Sequence, residues 1–474
     1  MTRKIVIEPV TRLEGHGKVT ILLDDSGNVE QARFHVTQVR GFEKFCEGRL
    51  YWEMPLITAR ICGICPVSHH LASAKACDAL LGVELTPTAQ KLRRLIHMAQ
   101  LVQSHALHFF HLASPDLLFG MDADPAKRNV MGLIAEVPEI ATKGVKLRAF
   151  GQKIIEMLGD KRVHPHAAIP GGMNKVLSPD MRSQILSQVD EAIADCQFAI
   201  DLFKDYRDKN TEVVNTFADF TSAYLGLVDE NGNVEYYDGK LRLKDGKGFV
   251  LEDDIAPENY LSIIEEMVED WSYLKFPYYK KLGYSRGMYR VGPLGRLNVA
   301  DGCTTPLANK EFQNFKKLGE NGVVQASLYY HYARLIEMLN CAEEIKSLVE
   351  DDLIGGKDIW VNASQKNEEG IGVIEAPRGT LFHHYWADRS GKIRKANLIV
   401  ATGNNNLAMN RAASEVAKQF IKDGKITEGI LNRVEVAIRC YDPCLSCSSH
   451  ALGHMPLEIT VLEPDGSVRQ VLRS

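Results

Sequence analysis

Two short stretches carry the residues best suited to chemistry: RICGICPVSHH, Arg60 to His70, and DPCLSCSSH, Asp442 to His450. Each holds a CxxC pair, Cys62 with Cys65 and Cys444 with Cys447. A two-residue spacer lets both sulfurs of a pair point at one centre, so two pairs can enclose a single soft or borderline metal. A zinc ribbon separates its pairs by about 15 to 20 residues, whereas 378 residues (positions 66 through 443) intervene here. If both pairs serve one site, the chain must close on it like a clasp. On spacing alone zinc stands ahead of a redox metal, and a structural zinc remains one reading. Thiolate-rich ligation also suits iron and nickel. His69 and His450, each shortly after its CxxC pair, and Arg378 behind Pro377 in EAPRG are features that a structural zinc does not require.

The other six cysteines, Cys46, Cys77, Cys196, Cys303, Cys341 and Cys440, are scattered singly. They read as small buried hydrophobes rather than as a disulfide scaffold. In 474 residues, 45% hydrophobic and 25% charged content with a net charge of -5 gives ample core material and no nucleic-acid footprint. No window approaches the roughly 18 uninterrupted apolar residues of a membrane span, and MTRKIVIEPVTRLEGH lacks the apolar core of an export signal. The chain therefore reads as cytoplasmic.

The elements that must position these residues follow from periodicity. Alternation over residues 3 to 38 with a DDSGN turn predicts a β-hairpin or small sheet. Between its strands lies TRLEGH, whose Arg12 and Glu14 fit either a surface or a site. Helical spacing predicts a helix after His70 and a long one from about Thr88 to Asp116. The three histidines His105, His108 and His111 drift around that helix too far to share a metal, so packing is their expected role. Residues 160 to 178 read as an irregular connection, 179 to about 224 as helical with breaks near Lys209, and 228 to 255 as strands. Helices are expected over 258 to 274, 325 to 350 and 407 to 423, and strands from 373 to 400. The absence of a linker favours one interlocked body: a predominantly helical α+β fold, with a long-helix core, small peripheral β-sheets, and N- and C-terminal segments meeting at a buried metal site.

TRLEGH, RGFE, RICGIC, FFHLASPD, EAPRG, NLIVATGNNN and DPCLSCSSH together resemble, in order and over nearly the full chain, the large subunit of nickel-iron hydrogenases. RGFEKFCEGR, SYLKFPYYK, YRVGPLGRLN and GTLFHHY are most similar to the cytoplasmic, NAD-linked bidirectional type. The resemblance implies reversible heterolytic cleavage of dihydrogen. It implies nickel on Cys62, Cys65, Cys444 and Cys447, with Cys65 and Cys447 bridging to an iron that carries carbon monoxide and cyanide. Cys444, Glu14 and Arg378 become catalytic candidates: Glu14 takes a proton from the Cys444 thiolate, and Arg378, its backbone fixed by Pro377, is oriented by Asp116 and Asp442. His69 is expected to hydrogen-bond a bridging sulfur, and Glu43, His450 and the Leu398 carbonyl to bind magnesium. Residues 1 to 450 form the catalytic body, and 451 to 474 a maturation extension cut between His450 and Ala451 by a dedicated protease after nickel insertion. Iron-sulfur clusters, flavin and NAD are expected only in partners, namely diaphorase subunits and a small iron-sulfur subunit. A deazaflavin or other electron acceptor is the alternative within the family.

Overall fold

The computed structural model describes residues 3–451 and 458–473. Its N-terminal sheet has three antiparallel strands, β1 (Arg3–Ile7), β2 (Gly17–Leu23) and β3 (Val29–Val36), in sequence order. Strict alternation buries one face of β2 and leaves the other half-buried. The chain then crosses short helical turns and enters α1 (Pro66–Leu81), which Pro66 opens at the first helical position and Gly82, with φ 61°, closes.

Four long helices make the core: α2 (Pro87–Leu107), α3 (Pro138–Gly159), α4 (Pro179–Lys209) and α5 (Tyr329–Glu350). α2 packs on α3 and α5, α5 on α4, and α3 closes against α4. The Thr86 side chain caps α2 by accepting from Ala89 N–H. Beyond Leu107 the helix widens into a π-helical turn, His108–Ala113, and resumes as Ser114–Phe119. α2 and α5 are buried over most of their length, and polar side chains such as Arg93, His97, Gln100, Arg334 and Glu337 are buried among the apolar ones.

A second sheet joins β4 (Ala223–Val228), β5 (Lys240–Lys244) and β6 (Val250–Ile255), with the short β7 (Tyr289–Arg290) parallel to β4. A third, β8 (Glu369–Ala376), β9 (Gly379–Ala387) and β10 (Ile393–Ile399), is antiparallel and lies against α1. Its β8–β9 turn is Pro377 and Arg378, so the sheet's tightest corner carries the arginine. α6 (Asn406–Phe420) packs on β3 and on α7 (Glu428–Arg439), which leads to the second CxxC pair. Beyond it, β11 (Glu458–Leu462) and β12 (Val468–Arg473) form a hairpin.

Three expectations need correcting. Within 179 to 224 the expected break falls at Lys209 and a short helix, Thr211–Thr216, follows, but the helical run ends there and Ala223–Val228 is a strand. Residues 258 to 274 form no long helix: after a 3-10 turn, Ile264–Met267 pairs antiparallel with Phe276–Tyr279. The helix expected after His70 already begins at Pro66 and carries His69 and His70. A further helix, α7, is absent from the sequence reading, although Thr427 caps it by accepting from Ile430 N–H.

Candidate metal centre

The clasp closes. Sγ of Cys62 lies 3.0 Å from that of Cys65 and 3.4 Å from that of Cys444, and Cys444 lies 2.7 Å from Cys447. All four sulfurs fall within 4.8 Å of one another, and all four residues are buried. Local backbone fixes each pair. Cys62 follows a 3-10 turn in extended conformation, and its sulfur accepts from the N–H groups of Ile64 (3.2 Å) and Cys65 (3.1 Å). Cys444 N–H donates to Thr402 Oγ1 at 3.0 Å, and Leu445 N–H to the Glu14 carbonyl at 3.0 Å. Gly15 makes this approach possible: a Cβ there would stand 2.8 Å from Leu445 Cβ, and its φ is +91°.

Four thiols so close cannot all ionise without a cation. Burial opposes charge on Cys62, but hydrogen bonds from Cys444, Cys447 and Cys65 and the charge of Arg378 outweigh it and hold its pKa well below the usual thiol value. Burial and the neighbouring sulfurs push Cys444 and Cys447 up. Four buried sulfurs so close together make a site that a multivalent soft cation would complete, and the donor set fits nickel and iron.

Glu14 reaches the cluster directly. Its Oε2 accepts from Cys444 Sγ at 3.1 Å and from Ser446 N–H at 3.1 Å, while Oε1 accepts from the Ser446 hydroxyl. Arg378 sits over the site with Nε donating to the Asp442 carbonyl (2.6 Å) and a terminal nitrogen to Asp442 Oδ1 (3.1 Å). Its protonated state is favoured over the desolvation penalty by Asp442 and the cysteines. Pro377 lends its carbonyl to Arg296, whose guanidinium also bonds Glu375 (2.7 Å) and Glu337 (2.5 and 2.6 Å). Sequence reasoning missed this fully buried support beneath the turn, because nothing local marks Arg296 or Glu337 as partners.

Asp116 does not orient Arg378. Its Oδ1 accepts from Arg12 at 2.6 Å and Asn432 at 3.0 Å, and its Oδ2 from Arg439 at 2.6 Å. Two nearer guanidiniums occupy the carboxylate, so Asp116 ties TRLEGH to α7 instead. His69 also departs from expectation: the hydrogen bond found for its ring, among the described residues, runs from Nδ1 to His383 Nε2 at 3.1 Å rather than to a sulfur. His383 in turn bonds Tyr385 OH at 2.6 Å. Burial lowers the His69 pKa to about 4, so the ring is neutral.

Near the cluster, Glu43 and His450 face each other at 3.6 Å. Leu398 meets Glu43 through its N–H, which donates to Oε1 at 2.8 Å. Both ring nitrogens of His450 are buried without a hydrogen-bond partner among the described residues. Burial would raise Glu43, but His450, Lys275 and the Leu398 N–H bring its pKa below the ordinary value. A carboxylate beside an unsatisfied imidazole fits a small divalent cation such as magnesium. His105, His108 and His111 behave as packing residues: His105 bonds Glu337, His108 the Arg439 carbonyl, and His111 is half-buried.

Residues 40–132 and 226–450 match the family described as nickel-dependent hydrogenase, and residues 4–39 match one described as HoxL-like. The chain belongs to the nickel-dependent hydrogenase family. It is similar to the NAD-reducing hydrogenase HoxS subunit beta of Cupriavidus necator, 47% identical with 98% of each chain covered. The vhc F420-non-reducing hydrogenase of Methanococcus voltae contains a chain that is 44% identical over 97% of each. A solved NAD+-reducing [NiFe]-hydrogenase in the H2-reduced state superposes with a TM-score of 0.92 at 48% identity, covering 95% of this chain and 100% of that one. As a nickel-dependent hydrogenase large subunit, this chain has a buried group of four cysteines able to hold a metal, and the structural-zinc reading falls away. No helix among the described residues is long and apolar enough to cross a membrane.

Proposed function

We propose that this chain is the cytoplasmic catalytic subunit of a hydrogenase that passes electrons from dihydrogen to NAD through partner subunits. Cys62, Cys65, Cys444 and Cys447 hold nickel, Cys65 and Cys447 also hold an iron bearing carbon monoxide and cyanide, and Glu43, His450 and the Leu398 backbone hold magnesium. When bound, the nickel-iron centre supplies the polarisation that splits dihydrogen heterolytically. The observation that carries the residue assignment is the contact between Cys444 Sγ and Glu14 Oε2 at 3.1 Å.

Cys444 and Glu14 form a proton pair within hydrogen-bond reach, the first requirement of a general base. Ser446 holds both carboxylate oxygens of Glu14, so the acceptor faces the sulfur without searching for it. Arg378 stays protonated, as guanidinium does in proteins. It contributes fixed positive charge and donors rather than a base. Burial of Cys62, Cys65, Cys444, Asp442 and Arg378 keeps water away and strengthens each of these interactions. His69 is held from behind by His383 and acts as a positioning residue on the first CxxC pair.

The six remaining cysteines lie singly in the core, so electrons leave through a small iron-sulfur subunit, then through a diaphorase with flavin. Nickel-insertion proteins load the site, and a maturation protease then removes residues 451–474. The peptide bond it cuts joins two buried residues, His450 and Ala451, so cleavage precedes final closure of this segment.

Infrared spectroscopy of the protein purified from its host tests the centre: bands from metal-bound carbon monoxide and cyanide are expected, and zinc in a silent sample would refute it. Reduction of NAD by the co-purified complex under dihydrogen tests the acceptor. Reduction of a viologen dye or a deazaflavin but not of NAD would move the chain to another branch of the family.

A further inference from the structure

Arg334, on α5, is fully buried and forms no ion pair among the described residues, the largest favourable charge on it coming from Asp442. Its guanidinium donates to the carbonyls of Cys440 (2.9 Å) and Tyr330 (3.3 Å), and contacts His331 Nδ1 at 3.3 Å. Its Nε is left without a partner. Three other large buried arginines have counter-charges: Arg93 pairs with Asp78, Arg296 with Glu337 and Glu375, and Arg439 with Asp116. Arg290 lacks a carboxylate but makes four hydrogen bonds and stacks on Phe220 and Tyr224.

An uncompensated buried charge costs several kcal/mol per ion, so something must offset Arg334. Its uncharged neighbours do not. Burial pushes the Cys440 thiol up to about 12 and holds His331 and His108 well below the usual imidazole range, so all three are neutral. Both oxygens of Glu337 are taken by Arg296 and His105. Asp442 feels the charge of Arg334 but is engaged by Arg378 through Oδ1, and its Oδ2 is a buried acceptor without a partner. Through the Cys440 carbonyl, Arg334 also grips the backbone two residues before Asp442.

We propose that Arg334 is the buried counter-cation of the metal centre, a positioning residue that acts through Asp442 and Arg378. This rests on the nickel-iron reading above. Four thiolates and the cyanides carry more negative charge than two divalent metals neutralise, and the Arg378–Asp442 pair is itself balanced. Arg334 supplies the remaining positive charge from behind that pair while anchoring the segment that holds it.

The test uses the processed, metal-loaded complex carrying Arg334→Met, which keeps much of the volume and removes the charge, beside Arg334→Lys, which keeps the charge and removes the fork. Three quantities are read: nickel and iron content, the cyanide and carbon monoxide infrared bands, and the midpoint potential of the centre. Arg334→Met is expected to move the bands to lower wavenumber and the potential downward, because loss of a nearby cation disfavours the reduced state. Arg334→Lys is expected to restore both. Unshifted bands and potential in a fully loaded Arg334→Met complex would overturn the proposal and leave Arg334 a packing residue. If Arg334→Met fails to load metal, loading in Arg334→Lys with native bands supports the charge role, and loss of loading there too overturns it in favour of shape. Carbon monoxide and cyanide bands missing from the unsubstituted complex would instead defeat the nickel-iron reading itself.

Discussion

At the scale of single residues, the proton pair makes the sharpest demand. Gln in place of Glu14 keeps the size and one acceptor for Ser446, with its amide NH2 able to donate to the Ser446 hydroxyl, but cannot take a proton. Glu14→Gln is therefore expected to lower turnover by about 10² to 10⁴ with nickel and iron content unchanged, read by hydrogen–deuterium exchange activity beside metal analysis. Near-native exchange in a loaded variant would remove Glu14 from the path. Asp116 makes a different demand. It lies between the partly exposed Arg12 and the buried Arg439, so Asp116→Asn removes the nearest counter-charge of both and leaves Arg439 only Glu435 at 3.7 Å. Stability should fall by about 3 to 5 kcal/mol, measured by denaturant unfolding, and a loss within experimental error would mean that other groups balance this layer.

At the scale of elements, the approach of β8 to α1 positions the first CxxC pair. Gly370 and Gly372 lie against the helix so closely that a Cβ on Gly372 would stand 2.0 Å from the Ala72 carbonyl and 2.6 Å from the Ala76 nitrogen. Gly372→Ala must push α1 away from the sheet, at a cost of about 1 to 3 kcal/mol. Because α1 begins at Pro66, directly after Cys65, the shift should also reduce metal occupancy. Thermal unfolding and nickel content measured together check this, and a variant with native values of both would show that the sheet yields instead. The elements also differ in how far the sequence announces them. The CxxC pairs, the long α2 and the strands around EAPRG are legible because their signals are local: spacing, period and turn chemistry. Residues 258 to 274 mislead because Ile263 and Ile264 with Val268 fit a helical stripe, while the real constraint is pairing with Phe276–Tyr279 further along the chain. The partners of Asp116 and the Arg296 support under the Pro377 turn are illegible for the same reason. They join residues that are near only after folding.

At the scale of the whole molecule, buried histidines make stability depend on pH. His70 shows why: its Nδ1 lies 2.8 Å from the Pro55 carbonyl, while Nε2 accepts from Ala167 and Ala168 N–H, so the ring must stay neutral. Burial lowers the pKa of His70 and His105 to about 4 and of His97 to about 3. The unfolded chain takes up protons near pH 6.5 that the folded chain refuses until far lower, so stability falls as pH drops from about 6.5 toward 4. Each such ring contributes up to about 1.4 kcal/mol per pH unit in that window. The midpoint of urea unfolding followed from pH 7.5 to 5 should hold above about pH 6.5 and decline below it, and a profile flat throughout would contradict the buried neutral assignment. The same molecule-wide view gives the clasp a temporal meaning. Translation proceeds from the N-terminus, at roughly 5 to 20 residues per second, and the first two thiols emerge long before their partners. For some tens of seconds Cys62 and Cys65 are an incomplete chelate on a growing chain, able to capture whichever soft ion meets them first. Correct metallation of this protein is thus an ordering problem on the ribosome as much as an affinity problem in the fold, and withholding free metal until the last stretch is made solves it.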